Sequence, residues 1–127
     1  MLALSALARA YGKGSVPISQ IAKTEKIPQR FLEGILLQLK NKGWLDSTRG
    51  KAGGYFLIKR PTDISLEEIV LEFEGSLCMI TCFCDKMYQP CEFCKDESAC
   101  KIRKAFESVY LSAQSILRNT SLKSLIE

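Results

Sequence analysis

The chain of 127 residues contains no histidine, a single tryptophan, and no cysteine outside the stretch from Cys78 to Cys100. Without histidine, a cysteine nucleophile has no imidazole to act as its base, so a thiol enzyme is disfavoured. No apolar run approaches the roughly 20 residues of a membrane span. Met1 to Ala10 is helical in pattern but lacks the basic start and cleavage site of a signal peptide. Internal repeats and low-complexity tracts are absent too. What remains is one domain, or a small domain with an extension, long enough to bury a real core. A cytoplasmic location is expected, where clustered thiols bind metal more often than they form disulfides.

Six cysteines do occur, all within residues 78–100. A mostly helical chain needs no thiols to build its core, so the crowding points to one soft metal site. Net charge is only +4, but it is unevenly spread. Residues 1–60 carry eleven Lys/Arg against Glu25, Glu33 and Asp46, whereas residues 61–127 carry seven basic and eleven acidic residues. A basic first half suits a polyanion, and an acidic second half suits a regulatory or oligomerising part.

Leu2, Leu4, Leu7, Ala8 and Tyr11 recur at helical spacing until Gly12 and Gly14 intervene. No capping residue precedes Leu2, so this helix reads as beginning in mid-stride. A short second helix opens at Pro17 or Ser19 and ends near Lys26. Pro28 suits the first turn of a third, in which Phe31, Leu32, Ile35, Leu36 and Leu39 form an apolar stripe. A short helix, a tight connection and a longer helix match a helix-turn-helix. Residues 44–48 and 55–58 then read as strands, joined by Arg49-Gly50-Lys51-Ala52-Gly53-Gly54. A basic hairpin in that place is the wing of a winged-helix domain. Ser65 and Glu68 form a capping box for a fourth helix, which Gly75 breaks. Beyond Cys100, Ile102, Phe106, Val109, Ala113 and Ile116 recur in steps of three and four, predicting a long helix that pairs with its copy in a second subunit. Thr120 to Ile126 reads as a last short helix.

The order of helix-turn-helix, Arg49-Gly50-Lys51-Ala52-Gly53-Gly54-Tyr55 wing, Ser65-Leu66-Glu67-Glu68-Ile69 helix, cysteine-rich loop, long helix and terminal Ser121-Leu122 with Leu125 resembles the Rrf-two family. The resemblance covers essentially the whole chain. It implies a dimeric winged-helix transcription factor, many members of which hold an iron–sulfur cluster that controls DNA binding. Members begin earlier, with a basic segment that in some supplies a cluster ligand. Some use a histidine three residues after the last cysteine; Arg103 stands at that position here. A three-cysteine, one-histidine site cannot form within this chain.

Cys91 and Cys94 have the spacing that lets two thiolates of one turn meet a metal, and Cys100 opens the long helix, whose positive dipole end favours a bound anionic group. The spacing of Cys94 and Cys100 also matches the final pair of family ligands. The expected ligands are therefore Cys84, Cys91, Cys94 and Cys100, with Cys82 as the alternative to Cys84. Cys78, beside Leu77, Met79 and Ile80, reads as a packing residue, and Asp85 and Glu92 as solvated. Four thiolates suit a 2Fe–2S or a 4Fe–4S cluster alike. Structural zinc and a metal-free loop whose thiols oxidise stay open.

The expected fold is mainly α with a small β-hairpin wing: a winged helix-turn-helix over residues 1–62, a linker helix and cysteine-rich loop over 63–100, and a long C-terminal dimerisation helix within 101–127. Gln29, Arg30 and Glu33 are the expected contacts to base edges or phosphates in the major groove. Arg49 is placed for the minor groove and Lys51 for phosphate. The function expected is that of a homodimeric regulator, a repressor, reading double-stranded DNA at a pseudo-palindromic operator under iron–sulfur control. Zinc-stabilised or thiol-sensing regulation, or a zinc-stabilised protein-interaction module, are the alternatives.

Overall fold

A computed structural model describes all residues from Met1 to Glu127. The chain divides into two compact units, residues 1–64 with 121–127, and residues 65–120. No helix is long and apolar enough to cross a membrane.

The first unit starts with α1 (Leu2–Arg9), which buries Ala3, Leu4, Leu7 and Ala8 along one face. In α2 (Ile18–Glu25) only Ile21 is buried. This helix ends where Lys26 takes up a left-handed conformation, φ 55°, and Ile27 N–H reaches back to the Ala22 carbonyl at 2.9 Å. Three residues later α3 (Gln29–Asn41) begins. Its Leu32, Leu36 and Leu39 are fully buried, each stabilising the unit by roughly 1.5–3 kcal/mol. Phe31 departs from the expected stripe: it is 66% exposed. It lies about 100° around the helix from Leu32, off the buried stripe.

Strands β1 (Leu45–Thr48) and β2 (Gly54–Leu57) pair antiparallel, Leu45 opposite Leu57 and Thr48 opposite Gly54. Both begin one residue away from their expected starts: Thr48 pairs with Gly54, and the Trp44 carbonyl, just before β1, receives the N–H groups of Ile58 and Lys59. Val16 pairs with Tyr55 on the other side of β2 through two backbone hydrogen bonds of 2.8 and 2.9 Å. That approach explains Gly54: a Cβ there would sit 2.3 Å from the Val16 carbonyl oxygen. After a 3-10 turn at Pro61–Asp63 comes Ile64. Its carbonyl accepts from Leu122 N–H at 2.7 Å, and both side chains are fully buried. The terminal segment therefore folds with the first unit, and its expected helix is only a 3-10 turn at Lys123–Leu125.

In the second unit, α4 (Leu66–Glu74) opens on the expected capping box. Glu68 N–H donates to Ser65 Oγ at 3.2 Å, and Ser65 N–H donates to the Glu68 carboxylate at 3.0 Å. Gly75, at φ 78°, ends it. After an irregular stretch with one 3-10 turn at Thr81–Phe83 comes α5 (Lys101–Asn119). Not one residue of α5 is fully buried. Its hold on α4 comes from Arg118, which grips Glu67 with two hydrogen bonds. Tyr110 meets Phe83 edge-on, ring centres 5.3 Å apart.

Candidate nucleic-acid interface and thiol cleft

With Leu32, Leu36 and Leu39 turned inward, the outward side of α3 carries Arg30, Gly34, Leu37 and Asn41, all exposed. Gln29 and Glu33 stand on one flank, and Gln29 Nε2 donates to Glu33 Oε1 at 3.5 Å. The wing tip holds Arg49 and Lys51 in the open. It is braced from behind: Ser15 Oγ donates to the Ala52 carbonyl at 3.0 Å, and Thr48 Oγ1 donates to Ser15 Oγ at 2.9 Å. Lys40 is drawn away from this surface. Its ammonium lies 3.1 Å from Asp46 and 2.7 Å from Ser47 Oγ. The Asp46 carboxyl is held below its usual range by the Ser47 N–H and then by Lys40.

The thiols separate into two groups. Cys82, Cys91, Cys94 and Cys100 line one cleft of about 460 Å³, together with Glu97, Arg103 and the apolar Met79, Ile80 and Ile102. Cys91 and Cys94 share a turn closed by Cys94 N–H on the Cys91 carbonyl at 3.1 Å. Cys100 caps α5 with its sulfur, which accepts from Arg103 N–H at 3.4 Å. The Cys94 thiol is pushed up by burial and then by Cys100, so crowding disfavours several uncompensated thiolates here. No three Cys, Asp or Glu side chains converge closely enough to hold a metal ion; the sulfurs ring the cleft instead.

Cys84 is not part of that ring. It is 4% exposed, its sulfur lies 4.0 Å from Ser76 Oγ, and its thiol is pushed up by contact with Cys78, then by burial. Cys78 donates its backbone N–H to the same Ser76 hydroxyl at 3.0 Å. Arg103 has a larger place than its sequence position suggested. It pairs with Glu97 at 3.5 Å and lies 5.8 Å from the centre of the Phe83 ring, while its Nε is buried without a partner. Its position three residues after a helix-capping cysteine was the available signal.

A helix-turn-helix followed by a braced basic hairpin defines a winged-helix DNA-binding protein. The chain is matched over residues 1–127 by the model of the Rrf2 family, described as an iron-dependent transcriptional regulator. It is 38% identical over 126 residues to an rrf2-like HTH-type transcriptional regulator of Rhodobacter capsulatus, covering 99% of this chain and 84% of the relative. Among solved structures it resembles CymR, the global cysteine regulator of B. subtilis, with a TM-score of 0.79 and 26% identity over 97% of this chain and 86% of that one. It also resembles T. potens IscR, with a TM-score of 0.75 and 26% identity, covering 98% of this chain and 78% of that one. The chain belongs to the Rrf2 family and is a DNA-binding transcriptional regulator, not an enzyme.

Proposed function

We propose that two copies of this chain bind a pseudo-palindromic operator, each through α3 and its wing, and that an iron–sulfur cluster held at the thiol cleft controls that binding. Gln29, Arg30 and Glu33 stand where the N-terminal half of a recognition helix meets base edges, and Arg49 and Lys51 where a wing meets the minor groove and phosphate. The observation that carries the cluster is the ring of Cys82, Cys91, Cys94 and Cys100 around one cleft. Their donor chemistry fits: four soft thiols, one of them already accepting a backbone N–H at a helix start. Cys82 is preferred over Cys84 as the fourth ligand because Cys84 is committed to Cys78 and Ser76. A single zinc ion would draw on the same four thiolates, and metal with sulfide analysis separates the two.

A bound cluster would supply a cross-link among four thiolates that oxidants can break. The protein's part is to hold the thiols, with Cys100 tying the cleft to α5 and Arg103 offsetting negative charge beside it. The loop carrying Cys82 to Cys94 leads into α5, whose a/d spacing supports its pairing with a second copy. Ordering of that loop thus bears on the spacing of the two recognition helices; a coupling of roughly 1–3 kcal/mol changes affinity about 5- to 150-fold. The test is anaerobic purification with a visible spectrum, iron and sulfide analysis, and operator binding of loaded and stripped protein at one salt concentration. Visible absorbance with stoichiometric sulfide, and different operator affinities, are expected. Colourless protein containing zinc, or identical affinities, would refute cluster control.

A further inference from the structure

Gly34 occupies the middle of α3's outward face, opposite Leu32, Leu36 and Leu39. Glycine there weakens the helix relative to alanine, because its backbone has more freedom to lose on folding. Within a protein, two conditions justify it: a positive φ, or a neighbour that leaves no room for a Cβ. Gly34 meets neither. It is absent from the positive-φ positions, and a Cβ built on it encounters nothing within 4 Å. Gly54 shows the contrasting case, where the Val16 backbone fills the space. Neither backbone conformation nor crowding within the chain accounts for Gly34.

Its neighbours suggest what comes close. Phe31 and Leu37, three residues before and after it, are 66% and 57% exposed. With no side chain at Gly34 between them, they flank a notch in the row of side chains along this face. Arg30 opens onto the same face, and the unit also presents Arg49 and Lys51, in a half that carries eleven basic residues against three acidic. That charge selects a polyanion over an apolar protein partner. In the major groove of duplex DNA the apolar group available to such a notch is the 5-methyl of thymine.

We propose that Gly34 is the close-approach position of the recognition helix, and that Phe31 and Leu37 beside it take thymine methyl groups. The proposal rests on the reading of α3 as the recognition helix. It assigns a specificity role to two side chains that carry no charge and to one residue that carries no side chain.

An operator selected from random duplexes provides the test. Gly34→Ala should raise the thermal midpoint yet weaken operator binding about tenfold or more, with affinity for random-sequence duplex unchanged. Replacing the operator's thymines by uracil, which removes only the methyl groups, should weaken wild-type binding severalfold. It should leave a Phe31→Ala, Leu37→Ala double variant little affected. Wild-type affinity in Gly34→Ala, or equal uracil effects on wild type and double variant, would overturn the proposal while leaving the recognition helix in place. Failure of the wild-type protein to bind any duplex preferentially would instead remove the recognition-helix reading beneath it.

Discussion

Arg118 on α5 and Glu67 on α4, 51 residues apart in sequence, form a two-pronged ion pair: Nε to Oε2 at 2.7 Å and Nη2 to Oε1 at 3.1 Å. Glu67 is the one charged residue that is buried, at 7% exposure. Water reaches the guanidinium, which screens the attraction. Burial of the carboxylate makes its loss of a partner the larger effect. Arg118 holds the Glu67 carboxyl below the usual glutamate range. A depressed folded value means that stability is present above the unfolded value, about 4.3, and is lost as pH falls through the lower folded value. Arg118→Leu should thus lower the thermal midpoint by a few degrees at pH 7. The gap from wild type should narrow as pH falls through the folded Glu67 value, because both proteins then carry a neutral Glu67. Thermal melts across that range check it; a gap independent of pH would show the pair to be electrostatically idle.

The wing tip makes a different prediction. Arg49 is exposed and the tip behind it is braced by Ser15, so removing its side chain leaves the hairpin intact. Arg49→Ala should weaken operator binding roughly tenfold and leave the melting temperature unchanged. Lys51→Ala should weaken specific and non-specific duplexes alike and reduce the slope of log affinity against log salt by about 0.9, the share of one phosphate contact. Titrations at several salt concentrations separate the two roles.

Much of the fold was legible because its signals are local. The capping box of Ser65 and Glu68, the glycine-rich basic hairpin and the 3.6-residue period of α3 each depend on residues within a few positions of one another. Phe31 shows the limit. It adjoins Leu32, and periodicity alone admits it to the apolar stripe. Its exposure follows from which elements happen to pack beside α3, and that is a tertiary matter. The terminal segment is similar, since the pairing of Leu122 with Ile64 spans 58 residues and leaves no periodic trace. In the cysteine loop there is no period at all. Whether Cys82 or Cys84 turns toward Cys91, Cys94 and Cys100 depends on the 3-10 turn at Thr81–Phe83 and on Ser76, and spacing could not choose between them.

That choice can be tested directly. With Cys82 on the cleft and Cys84 packed against Cys78, Cys82→Ala, Cys94→Ala and Cys100→Ala should each lose visible absorbance and sulfide after anaerobic purification. Cys84→Ala should keep both. It should also melt lower, because the change leaves a cavity under a residue that is 4% exposed. Retained cluster in Cys82→Ala with loss in Cys84→Ala would reverse the assignment and require the loop to refold around its cofactor.

The exposed seam of α5 calls for a partner helix. Ile102, Phe106, Val109, Ala113 and Ile116 fall in steps of four and three, the a/d spacing of a coiled coil. Ile102, Val109 and Ile116 are 68%, 48% and 66% exposed. The contacts within the unit come from another side of the same helix, where Tyr110 meets Phe83 and Arg118 meets Glu67. Two faces about 90° apart thus divide the helix, one holding the unit together and one exposed where the proposed dimer would pair. Val109→Glu or Ile116→Glu would bury charge in that seam, with no basic residue among its five positions to pair it. Either variant should run as a monomer by light scattering and lose operator affinity by an order of magnitude or more, while its helix content and the Arg118 pair persist. Leu111→Glu is the matched control. Leu111 is 54% exposed but lies on the opposite side of α5 from the seam, so this variant should remain dimeric. If Leu111→Glu dissociates the protein and Ile116→Glu does not, the helices pair through the other face.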